Sequence, residues 1–403
     1  MIVKNYRYIF YTFLALIFLL SGCASNSSIV LKPVVPEEYY VSNSIPEKEV
    51  IDSLRPGDVL LRMTNHPQSI FIALSSLCGY SHSALITEVK KKMLAYSAHP
   101  TLNNQEKKQN NPINWDYPEH FFRDCIYSSD YGYKTLFVSI YRLRNDQVQN
   151  DDILDKIEKK SGKSGDELAF TLFCDYDDKN GTYCSKFVCK TLEKCLGIKH
   201  ICPNDYKICQ QFYLMLKNKL ASKGIDSEEI IKKRIGEPYL EEIKKIAGEP
   251  SHLVTPGSFT RSKYFYHVKT WKNQNMNFQE KLLYEMSILL VRQLEELKKI
   301  DGIEMDKNKF NNLKNRLRDQ FHPINNEKQA KEIFPDFFER LHWQQIYTFC
   351  YNKFVNTLVI YCDEFPKGRI KIDSERLIDR LFQNCLEDPN VYKLLYIMFP
   401  ELN

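Results

Sequence analysis

A histidine and a cysteine far apart in the chain are the residues best suited to covalent chemistry. His82 stands in the segment Gly79–Ile86, at the start of an apolar, strand-like run, and Cys184 stands in the segment 181–188, where a helix should begin. A thiol at a helix N-terminus feels the positive end of the helix dipole, which favours thiolate. A nearby imidazole can then form an ion pair with the sulfur. The two segments therefore predict a nucleophile, Cys184, with His82 as its general base.

The elements around these two residues predict one domain over 49–270, which is mixed α/β from 49 to about 145 and turns helical over 146–200. Alternating apolar residues indicate strands at 59–63, 83–89, 93–97 and 135–143, and helical spacing indicates helices at 69–77 and near 119–125. The helix that begins at Cys184 should end at Gly197, because glycine is the usual residue after a helix C-terminus. Residues 205–250 read as a helical insertion, after which 253–257 leads back to an extended run at 264–268.

Residues 271–403 change character to nearly pure helical spacing. We predict an all-α C-terminal domain in this range, because no catalytic motif, internal repeat or phosphate loop interrupts it. Two interpretations stay open. The domain is either an accessory domain that binds a partner or a packing extension with no function of its own.

The N-terminal 22 residues have the pattern of a secretory signal. Lys4 and Arg7 form a basic start, and an apolar stretch over 8–20 leads to Leu20-Ser21-Gly22-Cys23. This ending resembles the lipobox of bacterial lipoproteins, in which the cysteine becomes the acylated (palmitate-bearing) mature N-terminus. The resemblance implies lipidation at Cys23 and, since no aspartate follows it, an outer-membrane position facing the periplasm. The alternatives are an uncleaved anchor or a chance cysteine after a signal.

Residues 23–48 should form a tether, because serine, asparagine and proline are frequent there and no helical or strand period persists. The rest of the chain has ordinary globular composition, with 43% hydrophobic and 27% charged residues. The net charge of +5 comes from 56 basic and 51 acidic residues that are interspersed, which argues against a nucleic-acid partner. The 12 cysteines show no CxxC spacing, so we expect no zinc site. Most should be buried thiols, and any disulfides cannot be assigned.

Four segments in order resemble the YaeF/YiiX group of circularly permuted papain-like proteins, which are related to the NlpC-type amidases. They read LRPGDVLLR, YSHSALITEV, YCSKFVCKTLE and LVTPGSFTRSKYFYHV, and together they span roughly residues 50–268. The resemblance implies an α+β, permuted papain-like domain with an antiparallel sheet and a cysteine-bearing helix. It also assigns Cys184 as nucleophile and His82 as base, with the histidine before the cysteine in the chain.

The third catalytic position departs from the pattern of this group. Its members often carry a glutamate on the strand after the histidine strand, whereas the segment 94–100 of this chain has no carboxylate. Alignment on Pro100 puts Tyr96 at that place, with Ser97 beside it, and His99 is a further candidate. None of these stabilises an imidazolium as a carboxylate would.

The resemblance implies a hydrolase or acyl transferase that cleaves an amide, ester or thioester through an acyl-enzyme and needs no cofactor or metal. Its substrates would be peptide-like amides or lipid acyl groups. The alternative is a non-catalytic lipoprotein that binds a peptide or lipid in a papain-like groove and a partner on its helical domain. The missing carboxylate favours this alternative.

Overall fold

A six-stranded antiparallel sheet holds the histidine segment at its centre. The strand order is β10-β7-β2-β3-β4-β5, and every neighbouring pair is antiparallel. The strands are β2 (Val59–Thr64), β3 (His82–Val89), β4 (Lys92–Ala98), β5 (Ile113–Asp116), β7 (Thr135–Leu143) and β10 (Phe265–Lys272).

The structure is a computed structural model that describes residues 40–41, 48–98, 112–125, 132–144, 148–161, 169–171, 174–222, 224, 226–235, 237, 240–241, 243–244, 252–322, 327–364 and 368–386. The described residues all fall within one compact unit, 33–403. Within these ranges, no helix combines the length and the apolarity needed to cross a bilayer.

The two faces of the sheet are covered by different elements, and the pleat decides which side chain meets which. One face, the Phe121 face, packs on the 3-10 helix Pro118–Phe122 and carries Leu60, Ala84 and Ala95 in one apolar cluster with Phe121. The other face lies under helix α4 (Cys184–Leu196) and carries Ser83, whose hydroxyl donates to Ser185 on that helix. We call it the α4 face.

The described helices come before, between and after the strands of the sheet along the chain. They are α1 (Lys48–Asp52), α2 (Pro67–Ser75), α3 (Asn150–Ser161), α4, α5 (Tyr206–Ser222), α6 (Ser227–Ile235), α7 (Pro256–Arg261), α8 (Phe278–Lys299), α9 (Lys307–Gln320), α10 (Glu327–Ile333), α11 (Phe337–Asp363) and α12 (Ser374–Leu386). One hydrophobic cluster joins residues of α2, α5, α8, α11 and α12. The antiparallel six-stranded sheet and the helices together place the chain in the α+β class. The domain division at 271 stays a prediction.

Two short strand pairs lie where the sequence showed no strand period. The predicted tether 23–48 contains β1 (Tyr40–Val41), which pairs antiparallel with β6 (Asp124–Cys125). The predicted all-α region contains a two-stranded sheet of β11 (Glu304–Asp306) and β12 (Arg369–Lys371). Both pairs are two or three residues long, too short for a strand period to stand out in the sequence. The remaining short strands, β8 (Ala169–Phe170) and β9 (Gly181–Thr182), pair in parallel just before Cys184.

The extended run expected at 264–268 is part of β10, which begins at Phe265. It follows α7, which begins at Pro256 with Thr255 as its N-cap. A threonine cap followed by proline at the first helical position is a helix-start signal. One local prediction was wrong. The helix expected near 119–125 is a 3-10 helix that stops at Phe122 and gives way to β6.

Candidate active site

The first residue of α4 is Cys184, as the sequence predicted. Tyr183 is extended, with φ −145°, and Gly197 ends the helix in the left-handed conformation, with φ +66°. The Tyr183 hydroxyl accepts a hydrogen bond of 3.1 Å from the backbone N–H of Val254. This hydrogen bond ties Tyr183, the residue before Cys184, to the segment 253–254.

The thiol of Cys184 is buried, and its surroundings are neutral. The residue is 5% exposed, and burial raises the pKa of the thiol above its usual value, while hydrogen bonds from Ser83 and Ser185 partly oppose that rise. Ser185 Oγ lies 3.8 Å from Cys184 Sγ and 3.2 Å from Ser83 Oγ. The expectation that the helix dipole would favour the thiolate was therefore wrong for this arrangement, because burial outweighs it.

His82 begins β3 and is held by a serine of the neighbouring strand. Its Nε2 lies 3.0 Å from Ser97 Oγ, and Ser97 Oγ donates a 2.6 Å hydrogen bond to the carbonyl of Ser83. Because the single hydroxyl proton goes to that carbonyl, Ser97 accepts from His82 Nε2–H. We therefore assign the neutral ring as the Nε2–H tautomer, which leaves Nδ1 as its basic nitrogen.

The pleat of β3 separates the imidazole from the thiol. Successive side chains of a strand point to opposite faces. The His82 ring lies 5.5 Å from the ring of Phe121, whereas the next residue, Ser83, contacts Ser185 and Cys184. The structure thus brings Cys184 to the strand position beside His82 but puts the two side chains on opposite faces of the sheet.

Of the two hydroxyls proposed for the third position, Ser97 is the one that contacts His82. Tyr96 pairs with Leu85, so its side chain projects to the α4 face, away from the imidazole. Burial raises the pKa of Tyr96 to about 12, and the nearby carboxylate of Glu158 adds to the rise. Tyr96 is thus a neutral residue on the other face of the sheet in this arrangement, and its role as an orienting group stays a prediction. His99 and Cys23 lie outside the described residues.

Sequence reasoning missed two residues that shape this site. Ser83 supplies the hydroxyl beside the thiol, and the alternation of side chains along β3 is the signal that could have found it. Lys186 is 4% exposed and donates to the carbonyls of Asp175 and Asp178, at 2.6 Å each, which fixes the loop before Cys184. A lysine on the apolar side of a helix is the corresponding sequence signal.

The described ranges hold no group of three His, Cys, Asp or Glu side chains arranged to bind a metal ion. No disulfide joins two cysteines of those ranges.

Comparison with solved structures gives a weak likeness. No family model matches the chain, and no curated protein matches it. The crystal structure of metalloprotein YiiX from Escherichia coli O157:H7, which carries the domain of unknown function DUF1105, is similar with a TM-score of 0.35 and 16% sequence identity. The likeness covers 54% of this chain and 98% of that one.

Proposed function

We propose that this chain is a cysteine-dependent hydrolase or acyl transferase. Cys184 is the nucleophile, His82 the base that takes its proton, and Ser97 the group that holds the imidazole in the described state. The observation that carries the proposal is the pairing of His82 Nε2 with Ser97 Oγ at 3.0 Å, one residue along β3 from the serine against which the Cys184 thiol lies. The four sequence segments typical of permuted papain-like proteins support the same assignment and the same fold.

In the proposed reaction the Cys184 thiolate attacks the carbonyl carbon of an amide, ester or thioester. A thioester forms between the acyl group and the sulfur, and the imidazolium of His82 gives its proton to the leaving group. Water or another acceptor then releases the acyl group and restores the thiol. The backbone amide of Cys184 at the start of α4 is the proposed donor to the developing oxyanion. Peptide-like amides and lipid acyl groups are the proposed substrate classes.

The described arrangement corresponds to a resting state in this proposal. A neutral thiol and an imidazole on the other face of the sheet cannot exchange a proton, so His82 must turn to the α4 face before reaction. His82 is the first residue of β3 and pairs with Arg62 in the last matched position between β2 and β3. The change therefore involves the end of a ladder rather than the middle of a strand.

We also propose that acylation of Cys23 anchors the protein in the bacterial cell envelope, at the outer membrane facing the periplasm. The lipobox-like sequence supports this. Mass spectrometry of the mature N-terminus tests it, because a diacylglyceryl-modified Cys23 is the expected product and an unmodified Cys23 contradicts the anchor.

A second candidate function is favoured by the burial of the thiol. In that case the protein is a non-catalytic lipoprotein that binds a peptide or lipid, and Cys184 is a core residue that packs against Ser83. The raised pKa of the Cys184 thiol is the observation on its side.

Alkylation of individual cysteines separates the two functions. The folded, reduced protein is treated with iodoacetamide across pH 5 to 9, and the rate at each cysteine is read by peptide mass spectrometry. Cys209 is the internal reference, because it is buried and burial raises its pKa to about 12. For the enzyme we expect Cys184 to react at least tenfold faster than Cys209 below pH 7 and to lose that advantage in His82→Ala. Equal, slow rates that His82→Ala leaves unchanged contradict the enzyme and support the binding protein.

A further inference from the structure

Two cysteines that the proposed reaction does not use lie in contact at helix α4. Cys189 is in the middle of that helix, and Cys202 follows the end of it. Both are buried, with exposed fractions of 0% and 1%, and the two thiols are within hydrogen-bond contact of each other. No bond joins them in the described structure, which therefore shows the reduced form of the pair.

The chain reverses direction between the two cysteines, and one carboxylate holds the turn. Gly197 ends α4 in the left-handed conformation. Ile201 donates its backbone N–H to Glu193 Oε1 at 3.1 Å. The same oxygen lies 4.0 Å from Cys189 Sγ. Because Glu193 contacts both arms of this turn, Cys202, the residue after Ile201, is held against α4.

The environment of the pair decides when the two sulfurs can react. Burial raises the pKa of the Cys202 thiol well above its usual value, and the neighbouring Cys189 adds to the rise. A protonated, buried thiol is a poor nucleophile. A bond between the two sulfurs therefore forms while the turn after α4 is still open, as the chain folds, and is enclosed when the core closes.

We infer that Cys189 and Cys202 form a disulfide bond when the chain folds in an oxidising compartment. The oxidant is an external disulfide. The thiolate of one cysteine attacks it, forms a mixed disulfide and releases one thiol; the second cysteine then attacks the mixed disulfide and releases the other thiol. Together the two cysteines lose two protons and two electrons, which the external disulfide takes up as it becomes two thiols.

The bond has two consequences for the element that carries the candidate nucleophile. A disulfide that closes a loop of about 15 residues favours the folded state by roughly a hundredfold, and here it closes the turn at the end of α4. It also withdraws both thiols from exchange with Cys184, which must stay reduced in the proposed reaction. The cell-envelope location in the proposed function supplies the oxidising compartment, and to that extent the inference rests on it.

Peptide mass spectrometry of the refolded full chain tests the inference. The reduced chain is refolded from urea in a mixture of oxidised and reduced glutathione, and free thiols are then blocked with iodoacetamide in urea. We expect Cys189 and Cys202 to escape alkylation and to appear in one linked peptide that dithiothreitol separates. Cys78 and Cys209 are the matched control pair, since both are buried and Cys209 interacts with Cys78 only through its charge. Both control cysteines should be alkylated.

Urea unfolding provides the second measurement. Dithiothreitol should raise the unfolding equilibrium constant of the refolded wild type about a hundredfold. It should have little effect on Cys202→Ser, in which Cys189 becomes open to alkylation; Cys202→Ala replaces this variant if the serine variant fails to fold.

The wild-type peptide map decides the inference without any variant. Alkylation of both Cys189 and Cys202 after refolding overturns it, and so does a linked peptide that joins either of them to another cysteine. Because the glutathione buffer supplies the oxidant, this result does not depend on where the protein resides. The mass of the mature N-terminus tests the envelope location separately, and the reactivity of Cys184 tests the catalysis.

Discussion

The protonation of Cys184 is decided by burial rather than by its place at a helix start. A helix N-terminus contributes about 0.3–1 kcal/mol at an exposed site and up to about 2 kcal/mol in a partly buried one. Burial of an ionisable group shifts its pKa by up to about 3–5 units, and each unit is worth about 1.4 kcal/mol. The larger effect acts against the thiolate, and the hydroxyls of Ser83 and Ser185 only reduce it. A reactive Cys184 therefore needs a cation beside the sulfur, and His82 is the residue that we propose supplies one.

A buried ion pair holds the turn that begins the sheet, and its loss is our first prediction. Asp58 is 1% exposed and accepts two hydrogen bonds of 2.7 Å from Arg142, and a third of 2.9 Å from the backbone N–H of Arg55. We expect Asp58→Ala to lower the free energy of unfolding by about 3 kcal/mol, because the mostly buried guanidinium of Arg142 loses its counter-charge and keeps the carbonyl of Ser53 as an acceptor. Urea unfolding measures the change. Asp155→Ala, which removes an exposed partner of Lys159, should leave the free energy of unfolding nearly unchanged.

Strand β3 shows how one element separates neighbouring residues. His82 and Ser83 are adjacent in sequence, yet one contacts Ser97 and Phe121 and the other contacts Ser185. A shift of the strand by one residue would exchange the two faces. The register with β2 and β4 prevents that shift, because it keeps Ala84 and Ile86 in the apolar cluster of the Phe121 face.

The histidine of β10 gives a prediction about pH. Burial lowers the pKa of His267 below 6.5, and the positive charges of Lys298 and Arg292 add to this effect while Glu295 opposes it. The unfolded chain therefore binds a proton at His267 at a higher pH than the folded chain does. Below about pH 6.5 His267 is protonated in the unfolded state but not in the folded state. The free energy of unfolding therefore decreases as the pH decreases, by at most about 1.4 kcal/mol per pH unit from this group.

His267→Gln isolates that contribution. We expect wild type to lose more stability than His267→Gln between pH 7.5 and 5.5, measured by urea unfolding, and the two to show the same slope above pH 7.5. An equal loss in both proteins between pH 7.5 and 5.5 would show that His267 is protonated as easily in the folded state as in the unfolded one.

At the scale of the whole molecule, the helices after residue 271 are part of the packing of the sheet. Tyr284 of α8 lies edge-on to Phe137 of β7, with ring centres 5.4 Å apart. Phe137 in turn contacts Tyr80, two residues before His82. Lys298 of the same helix donates to the carbonyl of Phe265 on β10. The segment that leads to His82 is therefore supported from the C-terminal part of the chain.

The contact between Gly79 and α8 is tested by a single methyl group. Gly79 has φ +75°, and a Cβ built there would collide with the side chain of Ser287. We expect Gly79→Ala to lower the free energy of unfolding by about 2–4 kcal/mol, as the sum of the left-handed backbone cost and of overpacking. Gly57→Ala is the matched control, since Gly57 has φ +91° but its Cβ would meet Ile153 at an ordinary 3.8 Å.

The difference between the two glycine variants measures the collision alone. Urea unfolding should place Gly57→Ala about 1–2 kcal/mol below wild type. Equal losses for Gly57→Ala and Gly79→Ala would mean that α8 yields to the methyl group and does not support the histidine segment.

Much of the fold could be predicted from the local pattern of the sequence. Alternation over 135–143 predicted β7 with both ends correct, and Gly197 predicted the end of α4. These features depend on residues within one turn or one strand, so the sequence contains their cause. Prediction failed where a strand depends on residues far away in the chain. Strand β1 forms because residues 124–125 pair with it, and residues 40–41 alone do not indicate that pairing.

By itself the sequence determined that Cys184 is at the start of a helix and that His82 is at the start of a strand. It also determined that Tyr96 and Ser97 stand where members of the YaeF/YiiX group, which the sequence resembles, often carry a glutamate. The tertiary structure alone decided that Ser97 rather than Tyr96 contacts the imidazole, that the thiol is neutral, and that the pleat puts thiol and imidazole on opposite faces. The physical reason is that helix and strand starts follow from nearby residues, whereas burial and the facing of a side chain depend on which elements pack together.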